Sequence, residues 1–207
     1  MNILIVSSSA NGDRSVSDGL VNRYVDAVRA ADPAATIVRR DVGAEPLPHL
    51  TSATVAAIKG EPETPAELEA RALSDTLIAE MQAADVIVIA SPMYNFGMSS
   101  TLKAWFDHVL RAGVTFRYTA EGPEGLLGDK KAVVIQSRAG AYGADGTPHM
   151  DAQEPHIRIL LGFMGITEVR YITAEKLAFG PNAATASIEA AARELTDFAA
   201  GASPLAA

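Results

Sequence analysis

The sequence has 207 residues, of which 48% are hydrophobic and 20% are charged, and its formal net charge at pH 7 is −8. This balance predicts a folded domain with a substantial core. It excludes a general binder of nucleic acid or of anionic membranes, because such proteins need a dense basic surface. The chain contains no cysteine, which excludes disulfides, thiolate nucleophiles, iron–sulfur clusters and thiolate zinc sites.

No stretch of the chain approaches the ~20 consecutive apolar residues of a membrane helix. The apolar run in "MNILIVSSS" is too short for a signal peptide and lacks the basic flank of one. We therefore expect one domain over residues 1–207, in a soluble cytoplasmic protein without a membrane partner.

Five short runs of apolar and β-branched residues predict β-strands. They are continuous rather than alternating, as in strands that are buried on both faces of a parallel sheet. The runs are Asn2–Ser7, Thr36–Arg40, Val86–Ala90, Ala132–Gln136 and the less uniform Val169–Ala174.

Apolar residues at helical spacing lie between these strands and after the last one. A further helix is predicted to start at Thr64, where a cap, a first-turn proline and the capping-box residue Glu67 follow one another. His108, beside Asp107, is expected to face solvent. The apolar stripes run over 20–28, 102–110, 157–164 and 188–199. Strands that alternate with helices predict an open, doubly wound α/β sheet.

The segment Val114–Gly128 exceeds what a minimal fold of this kind needs. Val114, Phe116 and Tyr118 alternate, and the pair Gly122-Pro123 follows them. This pattern predicts a short hairpin with its turn at the Gly-Pro pair.

Residues 7–17, "SSSANGDRSVS", follow the first strand and form what we call the first tip. In an open α/β sheet, ligands bind outside the carboxyl ends of the strands. Hydroxyls and the N–H groups of a helix start suit a phosphate, and we assign that role to Ser9, Ser15, Val16 and Ser17. The alternative is that Ser15 or Ser17 only caps the helix. The first tip lacks the G-x-G-x-x-G pattern of Rossmann dinucleotide sites, and the chain has no P-loop signature.

The second tip, Pro92–Gly97, follows the third strand and carries aromatic residues where a plain connection would be small and polar. Met93, Tyr94 and Phe96 can line an aromatic slot, and Asn95 offers hydrogen bonds. The alternative is that the aromatic rings fold back into the core. The strand and the following helix already supply core side chains, which favours a ligand.

The third tip, residues 136–143, reads "QSRAGAYG" and follows the fourth strand. Gly140 and Gly143 let the backbone approach the edge of a ligand, and turned amides near Ala139 can bind a partial negative charge. Taken alone, the segment also fits an ordinary glycine turn. Together, the three tips offer a phosphate cup, an aromatic slot and an amide-rich edge, which match the phosphate, the flat ring and the polar pyrimidine edge of FMN.

The segment "PMYNF" and the stretch "TLKAWFDHVLRAGVTFRYTAEGPEGLLGDKKAVVIQSRAG" closely resemble the FMN-dependent NADH-azoreductases, also described as NAD(P)H:quinone oxidoreductases. The similarity continues to "LLGFMGITEVRYITAEKLAFGP" and covers nearly the whole chain. It implies a flavodoxin-like fold with a five-stranded parallel sheet of order 2-1-3-4-5, flanked by helices. It also implies one non-covalent FMN per subunit and a homodimer whose two active sites lie at the subunit interface.

The resemblance further implies the reaction and its site residues. NADH or NADPH would donate a hydride, and quinones or aromatic azo compounds would accept electrons by a ping-pong, two-electron mechanism. No side chain is required as an acid or base, because the cofactor carries the chemistry. The implied FMN contacts are Ser9, Ser15, Val16, Ser17, Met93, Tyr94, Asn95, Phe96, Ser137, Arg138, Ala139 and Gly140. The implied substrate pocket contains Phe96, Phe116, Tyr118 and Phe163, partly from the partner subunit.

Other functions account less well for the same residues. A flavodoxin-like electron carrier would bind FMN without turning over a small substrate, but the hairpin and the aromatic residues favour an enzyme. A hydrolase is disfavoured because no G-x-S-x-G motif occurs. A metal site is disfavoured because prolines interrupt the cluster of His149, Asp151, Glu154 and His156. Nothing repetitive, basic or heptad-like supports a non-enzymatic interaction module.

Overall fold

The computed structural model describes residues 1–144 and 146–201. In this part of the chain, five parallel strands form one sheet. They are β1 (Asn2–Ser7), β2 (Thr36–Asp41), β3 (Val86–Pro92), β6 (Lys131–Ser137) and β7 (Glu168–Ala174), in the order β2-β1-β3-β6-β7. Counted within this sheet alone, the order is 2-1-3-4-5, so the expected flavodoxin-like arrangement is confirmed. Two further strands, β4 (Phe116–Thr119) and β5 (Gly122–Gly125), pair antiparallel as a separate hairpin.

Six α-helices in the described residues cover the two faces of the sheet. They are α1 (Val16–Ala31), α2 (Val55–Lys59), α3 (Pro65–Ala83), α4 (Ser100–Val109), α5 (Gln153–Phe163) and α6 (Pro181–Ala199). Successive strand residues face opposite sides, so β1 sends Leu4 into the cluster with α3, α4 and α5, and Ile5 into the cluster with α1 and α6. Trp105 and Phe106 are fully buried in the first cluster, with ring centroids 4.9 Å apart.

The helix start predicted at Thr64 is present, and α4 also starts with a capping side chain. At α3, the Thr64 hydroxyl accepts from the Glu67 N–H at 3.3 Å, and the Glu67 carboxylate accepts from the Thr64 N–H at 2.9 Å. At α4, the Ser99 hydroxyl accepts from the Leu102 N–H at 3.2 Å. No helix in residues 1–144 and 146–201 has both the length and the apolarity that crossing a membrane demands.

Strands β2 and β7 differ from the prediction that every strand is buried on both faces. Both are edge strands with one neighbour; Val38 in β2 is 43% exposed, and four of the seven residues of β7 are only half-buried. The apolar runs of β1, β3 and β6 are buried as predicted. An edge strand is bordered by only one other strand, so more of its surface is exposed. A short apolar run in the sequence does not show whether its strand lies at the edge of the sheet.

His108 was expected to face solvent, and this prediction is wrong. The residue is 1% exposed, its Nε2 lies 2.9 Å from the Pro48 carbonyl oxygen, and its own carbonyl accepts from the Ser74 hydroxyl at 2.6 Å. The segment around Pro48 covers a face of α4 that helical spacing alone would assign to solvent.

The hairpin is present, but its turn is not at Gly122-Pro123. Tyr118 pairs with Pro123 and Thr119 with Gly122, so the turn consists of Ala120 and Glu121. The Thr119 hydroxyl closes it by donating to the Gly122 carbonyl at 2.8 Å and accepting from the Glu121 N–H at 3.2 Å. This side-chain bond moves the turn by two residues, and the Gly-Pro pair becomes part of β5.

Candidate functional site

The first, second and third tips meet at one edge of the sheet, because β1, β3 and β6 are adjacent and parallel. Two hydrogen bonds join them directly. The Ala10 N–H donates to the Tyr94 hydroxyl at 3.0 Å, and the Met93 N–H donates to the Ser137 carbonyl at 2.8 Å. All three tips were expected to meet one ligand, and the structure does bring them together.

The first tip forms a cup of hydroxyls at the start of α1. Ser9, Ser15 and Ser17 are buried, and the Ser15 and Ser17 hydroxyl oxygens are 3.2 Å apart. Ser15 also caps the helix by accepting from the Asp18 N–H at 3.1 Å. The N–H groups of Val16 and Ser17 donate to no other group in the described residues. Capping therefore occurs, and it leaves two amides of the helix start available to an anion.

A cavity of about 500 Å³ adjoins this cup and extends towards the end of β2. Ser9 and Ser15 line it on one side, and Arg39, Asp41 and Gly43 on the other. Gly43 permits the close approach, because an added Cβ would lie 2.2 Å from the Ser9 carbonyl oxygen. No sequence pattern singled out these residues at the end of β2 and just after it, although the end of that strand had to lie at the same edge.

The second tip is a tight turn with an unusual backbone. Tyr94 and Gly97 exchange backbone hydrogen bonds of 2.9 and 3.0 Å, and Asn95 and Phe96 have φ angles of +48° and +73°. The left-handed region is costly for a residue with a bulky side chain, and such strain clusters at functional sites. The N–H groups of Asn95 and Phe96 donate to no other described group. The turn thus presents its amides outward.

Neighbouring elements hold this turn from several sides. The Tyr94 hydroxyl accepts from the Ala10 N–H at 3.0 Å, and the Phe96 carbonyl accepts from the Ala152 N–H at 3.0 Å. The Phe96 ring is 43% exposed and meets the ring of Tyr142 edge-on, with centroids 6.1 Å apart. Phe96 therefore does not fold back into the core, while Tyr94 and Met93 are half-buried.

In the third tip, backbone N–H groups remain open, whereas the charged residue Arg138 is buried. The N–H groups of Ala139 and Gly140 donate to no other described group, and their carbonyls accept from Ala178 and Lys176 at 3.0 and 2.7 Å. These bonds hold the loop while its amides stay open. Ser137 and Arg138 are buried, at 8% and 3% exposure.

The side chain of Arg138 lies behind the third tip. Its Nε donates to the Gln153 side-chain oxygen at 3.0 Å, and its guanidinium forms an ion pair with Asp151 at 2.9 Å. A contact between this residue and a ligand would therefore come from the backbone. Gln153 was absent from the sequence analysis, since a single glutamine at a helix start carries no distinctive signal.

Three of the four residues that the resemblance placed in a substrate pocket form one aromatic cluster. Phe116 packs edge-on against Tyr118 and Phe163, with centroid distances of 5.5 and 4.6 Å. Tyr118 is 72% exposed. Across the hairpin, Arg117 donates to Glu124 at 2.7 Å, and this hydrogen bond lowers the pKa of the Glu124 carboxyl.

This aromatic cluster is remote from the fourth residue, Phe96, along α5. That helix starts beside Phe96 and ends at Phe163, and its eleven residues span about 16 Å. The last residues of α5 approach the edge where β7 begins, opposite the three tips. Within one chain, the aromatic cluster and the second tip therefore lie at opposite ends of the helix.

Two of the four residues considered for a metal site pair with arginines. Asp151 pairs with Arg138, and Glu154 pairs with Arg158 at 2.7 Å. Asp151 also accepts from the N–H groups of Gln153 and Glu154 at 2.8 and 3.1 Å. Residues 1–144 and 146–201 contain no group of three His, Cys, Asp or Glu side chains that could hold a metal ion.

The chain matches known proteins over nearly its whole length. A family model described as "flavodoxin-like fold" matches residues 1–198. An FMN-dependent NADH:quinone oxidoreductase of Hyphomonas neptunium is 51% identical over 198 residues, which cover 96% of this chain and 95% of that protein. A protein of the same name from Ralstonia nicotianae is 42% identical over 200 residues, with 95% and 96% covered. Among solved structures, an azoreductase from Bacillus anthracis strain Sterne matches with a TM-score of 0.89 at 28% identity, covering 97% of this chain and 99% of that one.

Proposed function

The chain belongs to the flavodoxin-like family that includes the FMN-dependent NADH:quinone oxidoreductases, and on that premise we propose that it is an FMN-dependent enzyme which transfers electrons from NADH to quinones and aromatic azo compounds. One observation carries the proposal. A hydroxyl-lined helix start, an exposed aromatic turn and a loop with open amides converge at a single edge of the sheet.

The residues at this edge fit FMN. The open amides of Val16 and Ser17, with the hydroxyls of the first tip, suit a doubly charged phosphate. The second tip offers a partly exposed aromatic surface for a flat ring. The open amides of Ala139 and Gly140 suit the carbonyl-bearing edge of the pyrimidine.

When bound, FMN would supply the two-electron chemistry, accepting a hydride from NADH and passing the electrons to the acceptor. The chain would bind, orient and tune it. We expect the Asn95 amide to lie near N5 and the amides around Gly140 to stabilise negative charge near N1 and O2. No side chain is needed to move a proton.

Donor and acceptor would use the same open face beside Phe96. Two flat molecules cannot occupy one slot together, so they would bind in turn and give ping-pong kinetics.

The separation of the aromatic cluster from Phe96 supports a homodimer with shared active sites. The cluster formed by Phe116, Tyr118 and Phe163 exposes most of Tyr118, yet it lies at the far end of α5 from the second tip of its own chain. In a two-fold dimer, each copy can offer its cluster to the tips of the other. The acceptor would then lie between Phe96 of one chain and Tyr118 of its partner.

The visible absorbance spectrum of the purified protein, before and after anaerobic NADH, tests the proposal. We expect a yellow protein that bleaches with NADH and recovers its colour when a quinone is added. The same titration with NADPH measures the preference between donors. A yellow protein that ignores both nicotinamides would favour an electron carrier, and a colourless protein that does not take up FMN would contradict the assignment of all three tips.

A further inference from the structure

A buried polar network lies directly behind the second and third tips. Gln153 is 0% exposed, and its Nε2 donates to the Ser91 carbonyl at 2.7 Å and lies 3.1 Å from the Ser91 hydroxyl. Its side-chain oxygen accepts from Arg138 Nε at 3.0 Å. One side chain therefore joins the last residues of β3 to the loop after β6.

Asp151 connects the same network to the start of α5. One of its oxygens forms an ion pair with Arg138 at 2.9 Å, and the side chains of the pair are only 4% and 11% exposed. The other oxygen accepts from the N–H groups of Gln153 and Glu154. Between Asp151 and Gln153, the Ala152 N–H donates to the Phe96 carbonyl. The start of α5 thus holds the strained turn and the guanidinium at once.

A gain in the stability of the fold does not by itself explain a buried ion pair of this kind. Removing two charges from water costs free energy, and a buried ion pair often stabilises a fold no better than apolar residues of the same volume. A buried network of hydrogen bonds and an ion pair does, however, fix the geometry of the groups that it joins. The groups joined here are the two loops whose open amides face the proposed flavin.

We propose that Arg138, Gln153 and Asp151 form a positioning network that sets the spacing of the second and third tips and thereby the affinity and the redox potential of FMN. The inference rests on the proposed function. These residues act through the backbone amides of Asn95 and Gly140 and not by touching the substrate. Their charges also act at short range, because Asp151 neutralises a guanidinium placed behind the edge that would carry negative charge.

The test measures two properties of the full-length protein: the Kd of the apo-protein for FMN by fluorescence quenching, and the midpoint potential of the bound flavin. Gln153→Leu keeps a similar volume but removes all three bonds of the amide. We expect the Kd to rise at least about tenfold, because buried partners lose their bonds. Thermal unfolding of the apo-protein reports the accompanying loss of stability.

Asp151→Asn isolates the charge. Asparagine retains an oxygen for the N–H groups of Gln153 and Glu154, and it leaves the Arg138 guanidinium with only the Glu154 carboxylate, 3.8 Å away and shared with Arg158. We expect the midpoint potential to rise, because a positive charge that is less fully compensated stabilises the reduced, more negative flavin. A purely structural role would not shift the potential in a defined direction. This variant decides the question if Gln153→Leu does not fold.

Ser74→Ala is the matched control. Ser74 is also 0% exposed, donates to the His108 carbonyl and accepts from Arg111 at 2.9 Å, in a polar network on α3 and α4 that touches none of the tips. It should lower stability with no change in Kd or potential. If wild-type protein binds FMN and the network variants match Ser74→Ala in both properties, the positioning role is wrong. If wild-type protein does not bind FMN, the proposed function itself fails.

Discussion

Position 43 has no room for a side chain, because a Cβ built on Gly43 would lie 2.2 Å from the carbonyl oxygen of Ser9 and 2.9 Å from its nitrogen. Both atoms belong to the backbone, so no flexible group can give way. The backbones of the loop after β2 and of the first tip therefore lie too close together to admit even one methyl group between them. The absence of a side chain at position 43 allows Ser9 to remain in the cup.

Gly43→Ala tests this contact. The new methyl group must push the two loops apart, and we expect the free energy of unfolding to fall by about 1–3 kcal/mol and the Kd for FMN to rise. Urea unfolding of the apo-protein and fluorescence titration with FMN measure the two effects. In the control Gly60→Ala, the added Cβ would meet only the Ala56 carbonyl at 3.7 Å, an ordinary contact. Unchanged FMN affinity in Gly43→Ala would show that the loops are not coupled.

Single residues could be predicted from the sequence where their type is unusual for their place. The serines of the first tip and the aromatic Phe96 after a buried strand stand out in this way. Gln153 does not, because its partner Ser91 is 62 positions away. His108 was assigned to solvent for the same reason, since its cover at Pro48 is 60 positions away.

The capping box at the start of α3 makes the stability of the folded protein depend on pH. Hydrogen bonds from the backbone N–H groups of Thr64 and Glu63, each 2.9 Å long, lower the pKa of the Glu67 carboxyl from its ordinary value of 4.5. The folded state therefore favours the charged carboxylate. This contribution is complete above the unfolded-state pKa and is lost as the pH falls through the folded-state pKa.

Glu67→Gln isolates this charge, because glutamine can still fill the same position of a capping box. We expect the variant to be less stable than wild-type protein at pH 7, and the difference to shrink as the pH falls below about 4.5. Equilibrium urea unfolding at pH 7, 5 and 3.5 measures it. A difference that stays constant over this range would show that the carboxylate charge contributes nothing.

The elements themselves were largely predictable. The bounds of β1 were predicted to the residue, and the other four strands of the sheet differ from their predicted bounds by one or two residues, because β-branched runs and caps are local signals. The position of the hairpin turn was not predictable, because the hydrogen bond of the Thr119 hydroxyl outweighs the turn preference of a Gly-Pro pair. Nor did the run in β2 reveal that this strand is at the edge of the sheet.

At the scale of the whole molecule, the proposed dimer can be tested by mixing two inactive variants. Phe96→Ala removes a ring from the tips of one chain, and Tyr118→Ala removes a ring from the cluster that it offers to the other. If each active site takes one ring from each copy, a mixed dimer contains one intact site and one that lacks both rings. After subunit exchange in an equimolar mixture, about a quarter of all sites are then intact.

We therefore expect quinone reductase activity to recover to about a quarter of that of wild-type protein. Light scattering should give twice the mass of the 21.7 kDa chain. The control is the Phe96→Ala variant mixed with itself, which should stay inactive. If the two-variant mixture also stays inactive, both rings serve the same chain.

The order of the sheet, unlike its elements, did not follow from periodicity. Alternating strands and helices predict a doubly wound sheet, but many strand orders share that pattern. The order 2-1-3-4-5 came from the resemblance of the second tip and the hairpin to a known family. The three tips could be placed at one edge only because all five strands run parallel.

The sheet order also decides when, during folding, a complete site can exist. Ser8 bonds to Ala90, 82 positions later, and the third tip follows only after β6. The cup and the slot come from the first half of the chain and the amide edge from the second, so neither half can assemble all three by itself. Contacts between such distant parts of a chain also form slowly. On the ribosome, cofactor uptake must wait until most of the chain has been synthesised. Bound FMN would thus mark a fully folded molecule, and mass action would make the cellular supply of flavin one of the factors that set its lifetime.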